Sequence, residues 1–160
     1  MSELDSTDNL EEADHVDLYA VASECAQNLM VNATRRGISF TLTGTHCIIR
    51  GNHDMLCELI DNLCENAIRY NNVGGMVTLT VEACNGKTKL IVEDNGIGIP
   101  QKHQERVFER FYRVDKGRSK ATGGTGLGLA IVKHIVAIHQ AKLLLESEVG
   151  IGTKVTVIFN

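Results

Sequence analysis

From Asp17 the apolar residues recur at helical spacing, with Leu18, Val21, Ala22, Cys25, Leu29 and Ala33 on one stripe. Asp17 is suited to cap that helix and Gly37 to leave it, and Arg35 and Arg36 fall in the last turn, where cations complement the helix dipole. The period then changes from helical to alternating. Ile38, Phe40 and Leu42 alternate as in a half-buried strand, and "HCIIR" (46–50) reads as a short second strand. Asp54 opens a second amphipathic helix, "MLCELIDNLCENAIRY", whose glycine-rich exit is Gly74–Gly75. In the next strand Val77, Leu79 and Val81 share the inward face. Asn85–Gly86 is a hairpin signal, and "TKLIVED" returns from it. Pro100 suits the first turn of a short helix over residues 101–112. A third long helix runs to about His139, and "KLLLES" and "TKVTVIF" close the chain as strands.

The order α-β-β-α-β-β-α-β-β contains hairpins, which an all-parallel doubly wound sheet cannot hold. The pattern predicts an α+β fold: a two-layer α/β sandwich with a mixed, mostly antiparallel sheet of five or six strands packed on three helices. With 160 residues the chain is sized for one domain. No run of 18 apolar residues is present, and no signal-peptide pattern opens the chain. The net charge of −4 gives no footprint for nucleic acid. Charge is unevenly spread. Residues 1–17 carry seven acidic residues and no Lys or Arg, so residues 1–16 read as an acidic linker before a domain at 17–160. The five cysteines (Cys25, Cys47, Cys57, Cys64, Cys84) form no C-x-x-C pair and are spread along the chain; they read as small core hydrophobes of a reducing, cytoplasmic protein rather than zinc ligands.

Candidate chemistry begins at "GGTGLGLA" (123–130), four glycines in six residues at the mouth of the third helix. Neither G-x-G-x-x-G nor the P-loop spacing is met. Unpaired N–H groups at a helix start, with Arg113, Lys116, Arg118 and Lys120 just upstream, nevertheless suit a polyphosphate; a flexible connection is the bland alternative. In the second helix Asn62, Asn66 and Arg69 fall within an arc of about 60° beside the apolar stripe. Asparagines are poor helix formers, so two on one edge suggest ligation. "EDNGIGIP" ends a strand with Asp94 followed by Gly96 and Gly98.

In this order "NLCENAIRY", "DNGIGIP", "FERFYR", "GTGLGLAIVKHIV" and "SEVGIGT" resemble the N, G1, F, G2 and G3 boxes of the catalytic ATP-binding domain of bacterial sensor histidine kinases. The resemblance covers residues 17 to 159 and implies the Bergerat ATP-binding fold. It implies that Asn66 holds Mg²⁺ between the phosphates, that Asn62 supports that site, that Arg69 reaches the phosphates and that Tyr70 lies against the nucleotide. Asp94 would accept from the adenine amino group, Gly96 and Gly98 would let the backbone pass the base, Ile99 would pack on it and Thr153 would sit at the adenine end. Arg113 would contact the γ-phosphate, residues 114–122 would form a lid, and Gly124, Gly126, Leu127 and Gly128 would wrap the phosphates. Asn66 and Arg113 are thus the implied catalytic residues, with ATP and Mg²⁺ as ligands.

Where hydrolysing members of the superfamily carry a water-activating glutamate, this chain has Asn62, which implies phosphoryl transfer to a histidine. The acceptor motif, of the H-E-x-R-T-P type, is absent, and His15, His46, His53, His103, His134 and His139 read as surface or capping residues. The resemblance therefore implies a fragment of a cytoplasmic kinase portion, monomeric alone. Its partners would be the dimerisation and phosphoacceptor domain of a homodimeric, membrane-anchored sensor, and a response regulator. The start of the chain would be the tail of a dimerisation helix. Two departures stand out: "HQA" follows Ile138 where the family often has His-Gly-Gly, and "FN" replaces a terminal proline. A degenerate binding module and a serine kinase of the anti-sigma type are the competing readings; "FERFYR" speaks against the latter.

Overall fold

The structure is a computed structural model and describes residues 14–104 and 128–160. The predicted stripe from Asp17 is helix α1 (Leu18–Arg35). Asp17 caps it: Oδ1 accepts from the N–H groups of Tyr19 (3.1 Å) and Ala20 (3.4 Å). The same oxygen accepts from Cys47 N–H, which fastens the helix start to the loop before strand β3 (Ile48–Gly51). At the other end Ile38 N–H reaches Ala33 O and Gly37 N–H reaches Thr34 O, a Schellman closure with Gly37 at φ +74°. Strand β1 (Asp14–Asp17) pairs antiparallel with β3. The hydropathy pattern gives no strand there, because Val16 is the one apolar residue of the four; its partners lie more than thirty residues away.

Helix α2 (His53–Arg69) starts at His53, capped by Asn52, whose Oδ1 accepts from Met55 N–H at 2.9 Å. Asp54, taken from the sequence as the first residue, lies inside the first turn instead. After Gly74–Gly75 come β4 (Met76–Cys84) and β5 (Lys87–Asp94), an antiparallel hairpin turned by Asn85 (φ 55°) and Gly86 (φ 77°). Both turn residues are left-handed, as a two-residue I′ turn requires. The short α3 (Gln101–Gln104) follows, then α4 (Gly128–Ile138), β6 (Lys142–Glu148) and β7 (Gly152–Phe159).

Among the described residues the main sheet has five strands in the order β2-β4-β5-β7-β6, where β2 is Ser39–Gly44. Only β2 and β4 pair in parallel. The inner face of the sheet presents Val77, Leu79, Val81, Leu90, Val92, Val155, Val157 and Phe159, all buried against the helices. Leu18, Leu56, Leu59, Ile60, Ile68 and Ile135 fill the same core from α1, α2 and α4. The predicted two-layer α+β sandwich is therefore what forms, with a β1–β3 ribbon added. Burial of this apolar area is the main stabilising contribution. Of the cysteines, Cys25, Cys47 and Cys64 are buried as expected, Cys57 is half-buried, Cys84 is exposed, and all are free thiols. Among the described residues no helix is long and apolar enough to cross a membrane.

Candidate functional site

Strand β5 is the centre of the sheet and ends at Asp94, whose neighbours are Val77 on β4 and Thr153 on β7. The sequence thus brings Asp94 and Thr153 to one strand end. Asp94 Oδ1 accepts from Gly96 N–H at 2.8 Å. Partial burial holds the carboxyl above the usual carboxylate range, and hydrogen bonds from the Gly96 and Thr153 backbones oppose that rise. A half-buried acceptor at the mouth of a central strand is a suitable place to read a donor on a ligand.

The loop beyond Asp94 threads between two walls. A Cβ at Gly96 would stand 2.7 Å from Tyr70 O, and one at Gly98 would stand 2.2 Å from Glu148 O. Gly98 also has φ +77°. These two glycines are therefore required by close backbone passage between the end of α2 and the end of β6, whatever else passes them. Ile97 N–H reaches Tyr70 O, Gly150 N–H reaches Ile97 O, and Ile99 N–H reaches Ser147 Oγ at 2.8 Å. The Ser147 hydroxyl is a junction: it donates to Gly152 O and meets Thr153 Oγ1 at 2.7 Å. Gln104 Nε2 donates to the carbonyls of both Ile99 and Ser147.

Tyr70, the C-cap of α2, and Arg69, its last residue, are both half-buried beside this loop. One turn back, Asn66 Nδ2 donates to Asn62 O at 2.8 Å, and Asn62 Nδ2 donates to Glu58 O at 2.7 Å. Each amide nitrogen is thus held along the helix, and neither Oδ1 has a donor among the described residues. An oxygen donor of this kind suits Mg²⁺, which takes few protein ligands and keeps its waters. His139, just past the C-terminus of α4, meets Asn52 at the start of α2. With α4 packed on α2, the N-terminus of α4, beginning at Gly128, lies toward the half of α2 that carries Asn62 and Asn66. Arg113, Gly124, Gly126, Leu127 and the lid at 114–122 lie outside the described residues.

Two asparagines that sequence reasoning did not single out set the loop in place. Asn95 Oδ1 accepts from Met76 N–H at 2.7 Å, and Asn71 Nδ2 donates to Met76 O at 3.0 Å. They stitch the α2–β4 connection to the end of β5. Asn95 stands inside the quoted "DNGIGIP" and Ser147 opens the quoted "SEVGIGT", so a signal was present at both; Gln104 and Asn71 carry none without knowledge of the pairing. Of the two expected roles, surface or capping, His139 has the second: it is 7% exposed, its Nδ1 meets Ile135 O at the end of α4, and its ring fills the space over Gly51.

Comparison with known proteins identifies the family and the fold. The family described as "Histidine kinase-, DNA gyrase B-, and HSP90-like ATPase" matches residues 51–160. The sensor-like histidine kinase SenX3 of Mycolicibacterium smegmatis is 43% identical over 157 residues, 98% of this chain and 41% of that protein. The sensor histidine kinase WalK of Bacillus subtilis is 45% identical over 106 residues, 64% of this chain and 17% of that protein. The chain thus spans about two fifths or less of the length of these relatives. The solved mycobacterial sensor histidine kinase MprB superposes with a TM-score of 0.80 at 28% identity, covering 92% of this chain and 96% of that one. Full-length ShkA in complex with AMPPNP gives 0.79 at 26% identity, covering 92% and 30%.

Proposed function

Since the chain belongs to the histidine kinase-, DNA gyrase B- and HSP90-like ATPase family, as the ATP-binding catalytic domain of a two-component sensor histidine kinase, we propose that it binds ATP with Mg²⁺ and donates the γ-phosphoryl group to a histidine on a dimerisation domain of the same kinase. The observation that carries the reading is Asp94: a half-buried acceptor at the end of the central strand, with Thr153 beside it and the glycine loop held against Tyr70.

Asp94 accepts from the adenine amino group and so prefers adenine to guanine, which presents a carbonyl there. Ile99 packs on the base. The Asn66 Oδ1 is the protein ligand for Mg²⁺, which supplies neutralisation of phosphate charge. Arg69 and Arg113 reach the phosphates, and Gly124, Gly126, Leu127 and Gly128 offer their backbone N–H groups. The partner histidine attacks the γ-phosphorus as the bond to the β,γ-bridging oxygen breaks; ADP leaves with that electron pair and a phosphorus–nitrogen bond forms. Asn62 is an amide whose Nδ2 donates to Glu58 O, so it supplies no base for water, which favours transfer over hydrolysis. The acidic stretch that precedes β1 joins this domain to the dimerisation helices. The parent is a homodimeric, membrane-anchored sensor with this domain on the cytoplasmic side, and a response regulator receives the phosphoryl group.

Calorimetric titration of ATP into the purified domain, with Mg²⁺ and with EDTA, tests the reading. One site per chain is expected, weakened by EDTA and by Asn66→Ala about tenfold each, the value of a charge-assisted contact. Absence of binding at millimolar ATP sinks it.

A further inference from the structure

Cys57 was read from the sequence as one of five scattered thiols, but the fold gives it company. His53 and Cys57 are four residues apart on α2 and share a face, and Glu24 comes to them from α1. His53 Nε2 lies 3.0 Å from Glu24 Oε1, Cys57 Sγ lies 3.6 Å from the same oxygen, and Cys57 Sγ lies 3.7 Å from His53 Nε2. We propose that Glu24, His53 and Cys57 form a binding site for a zinc-class divalent cation that clamps α1 to α2.

The donor separations carry the proposal. Tetrahedral Zn²⁺, with bonds near 2.0 Å to nitrogen and oxygen and near 2.3 Å to sulfur, holds such donors about 3.3 to 3.5 Å apart. The observed triangle needs shifts of a few tenths of an ångström to reach that. The donor set of one thiolate, one imidazole and one carboxylate is zinc chemistry and not magnesium chemistry. A second, independent feature is the other ring nitrogen: His53 Nδ1 lies 3.1 Å from Asp54 Oδ1. That carboxylate fixes the proton on Nδ1 and leaves the Nε2 lone pair to the cation, the usual support for a metal-binding histidine. On binding, the Cys57 thiol releases its proton, so the cation's two charges are matched by one thiolate and one carboxylate.

Three protein donors leave a fourth position open. Glu24 and Cys57 border a cleft of about 290 Å³ that Asp61 and Glu65 also line, so water or a further ligand has access. This face of α2 is about 180° around the helix from Asn62 and Asn66, so the site is distinct from the proposed nucleotide site. The proposal does not rest on ATP binding.

Cobalt(II) is the probe, added without nucleotide to EDTA-treated, reduced protein. One equivalent is expected to give a thiolate-to-cobalt charge-transfer band and visible bands of tetrahedral intensity, both removed by Zn²⁺ and not by Mg²⁺. Cys57→Ser abolishes the charge-transfer band, His53→Gln and Glu24→Gln weaken binding tenfold or more, and Cys84→Ser leaves both unchanged. Glu24 and His53 are largely exposed, so these variants keep the fold, which circular dichroism in EDTA verifies. Zn²⁺ also raises the thermal midpoint of the wild type by mass action and not that of His53→Gln. The absence of a saturable band, or a band that survives Cys57→Ser and disappears with Cys84→Ser, overturns the site.

Discussion

The two ends of α2 are finished in opposite ways. At its N-terminus the polar groups are used on the protein itself. Asn52 Oδ1 takes Met55 N–H, and Asn52 N–H goes to His139 Nε2 at 3.2 Å. His139 Nδ1 in turn gives its proton to Ile135 O at 2.9 Å, and the ring meets Phe159 edge-on. Toward the C-terminus, Asn62 and Asn66 hold their nitrogens along the helix and have no donor to Oδ1 among the described residues. Past that end, where Gly96 passes between Tyr70 and Asp94, the Asp94 carboxyl is held above the usual range by burial. One end anchors the helix and the other presents acceptors at a cost to the fold. Stability and ligand binding should therefore separate along a single element, and variants at the two ends test that separation.

The largest effect is expected at the anchored end. His139→Ala removes a buried ring and leaves the Asn52 N–H without its acceptor, a loss of about 3 kcal/mol in urea unfolding. Nucleotide affinity of the folded variant should stay within about twofold of wild type, since a buried brace some distance from the ligand adds nothing to binding. An equal loss of affinity would break the comparison. The same ring sets a pH dependence. Burial holds its pKa below the ordinary 6.5, so the unfolded chain takes up the proton first as pH falls. Stability from the neutral ring is fully present above pH 6.5 and is lost as pH drops from there toward the folded value. His53 acts with the opposite sign, its pKa raised by hydrogen bonds to Asp54 and Glu24. Comparing wild type with His139→Gln isolates the buried group: the acid-side fall should flatten in the variant.

Next in size is Asp94→Asn. Loss of a charged acceptor should weaken ATP by one to two powers of ten, measured by calorimetry. Stability should not fall with it. The folded pKa is raised, so the ionised carboxylate at neutral pH costs the fold something, and the amide removes that cost while giving up the charge in the bond from Gly96. A variant that loses binding and stability together would mean that Asp94 is a structural residue.

What the sequence showed follows the same division. Features made by neighbours in the chain were legible: Asp17 and Gly37 bound α1, Asn85–Gly86 turns the hairpin, and Val77, Leu79 and Val81 face the core. The fold class followed from their order. Asp94, Gly96 and Gly98 were singled out by resemblance to a motif, and the structure adds why the glycines are needed by the protein alone. Illegible were groups whose partner is distant. His139 reaches back 87 residues to Asn52, Ser147 reaches 48 to Ile99, and His53 reaches 29 to Glu24. Hydropathy carries no trace of such pairs, and β1 was missed for the same reason.

The smallest effect concerns the turn that carries the brace. Helix α4 closes as α1 does: Ala141 N–H reaches Val136 O and Gln140 N–H reaches Ala137 O, both at 3.0 Å. At α1 the left-handed residue is Gly37, whereas at α4 it is Gln140, with φ 55°. A side chain in that conformation costs about 1 kcal/mol, because Cβ crowds its own backbone. Gln140→Gly relieves the crowding, and the added freedom of the unfolded chain returns part of the gain. A net stabilisation of about 0.5 to 1 kcal/mol is expected in urea, with ATP affinity unchanged. The gain should shrink in a His139→Ala background, because the turn then no longer holds a ring against Asn52. If the two substitutions are strictly additive, the turn and the brace are independent, and the anchored end of α2 is held by the ring alone.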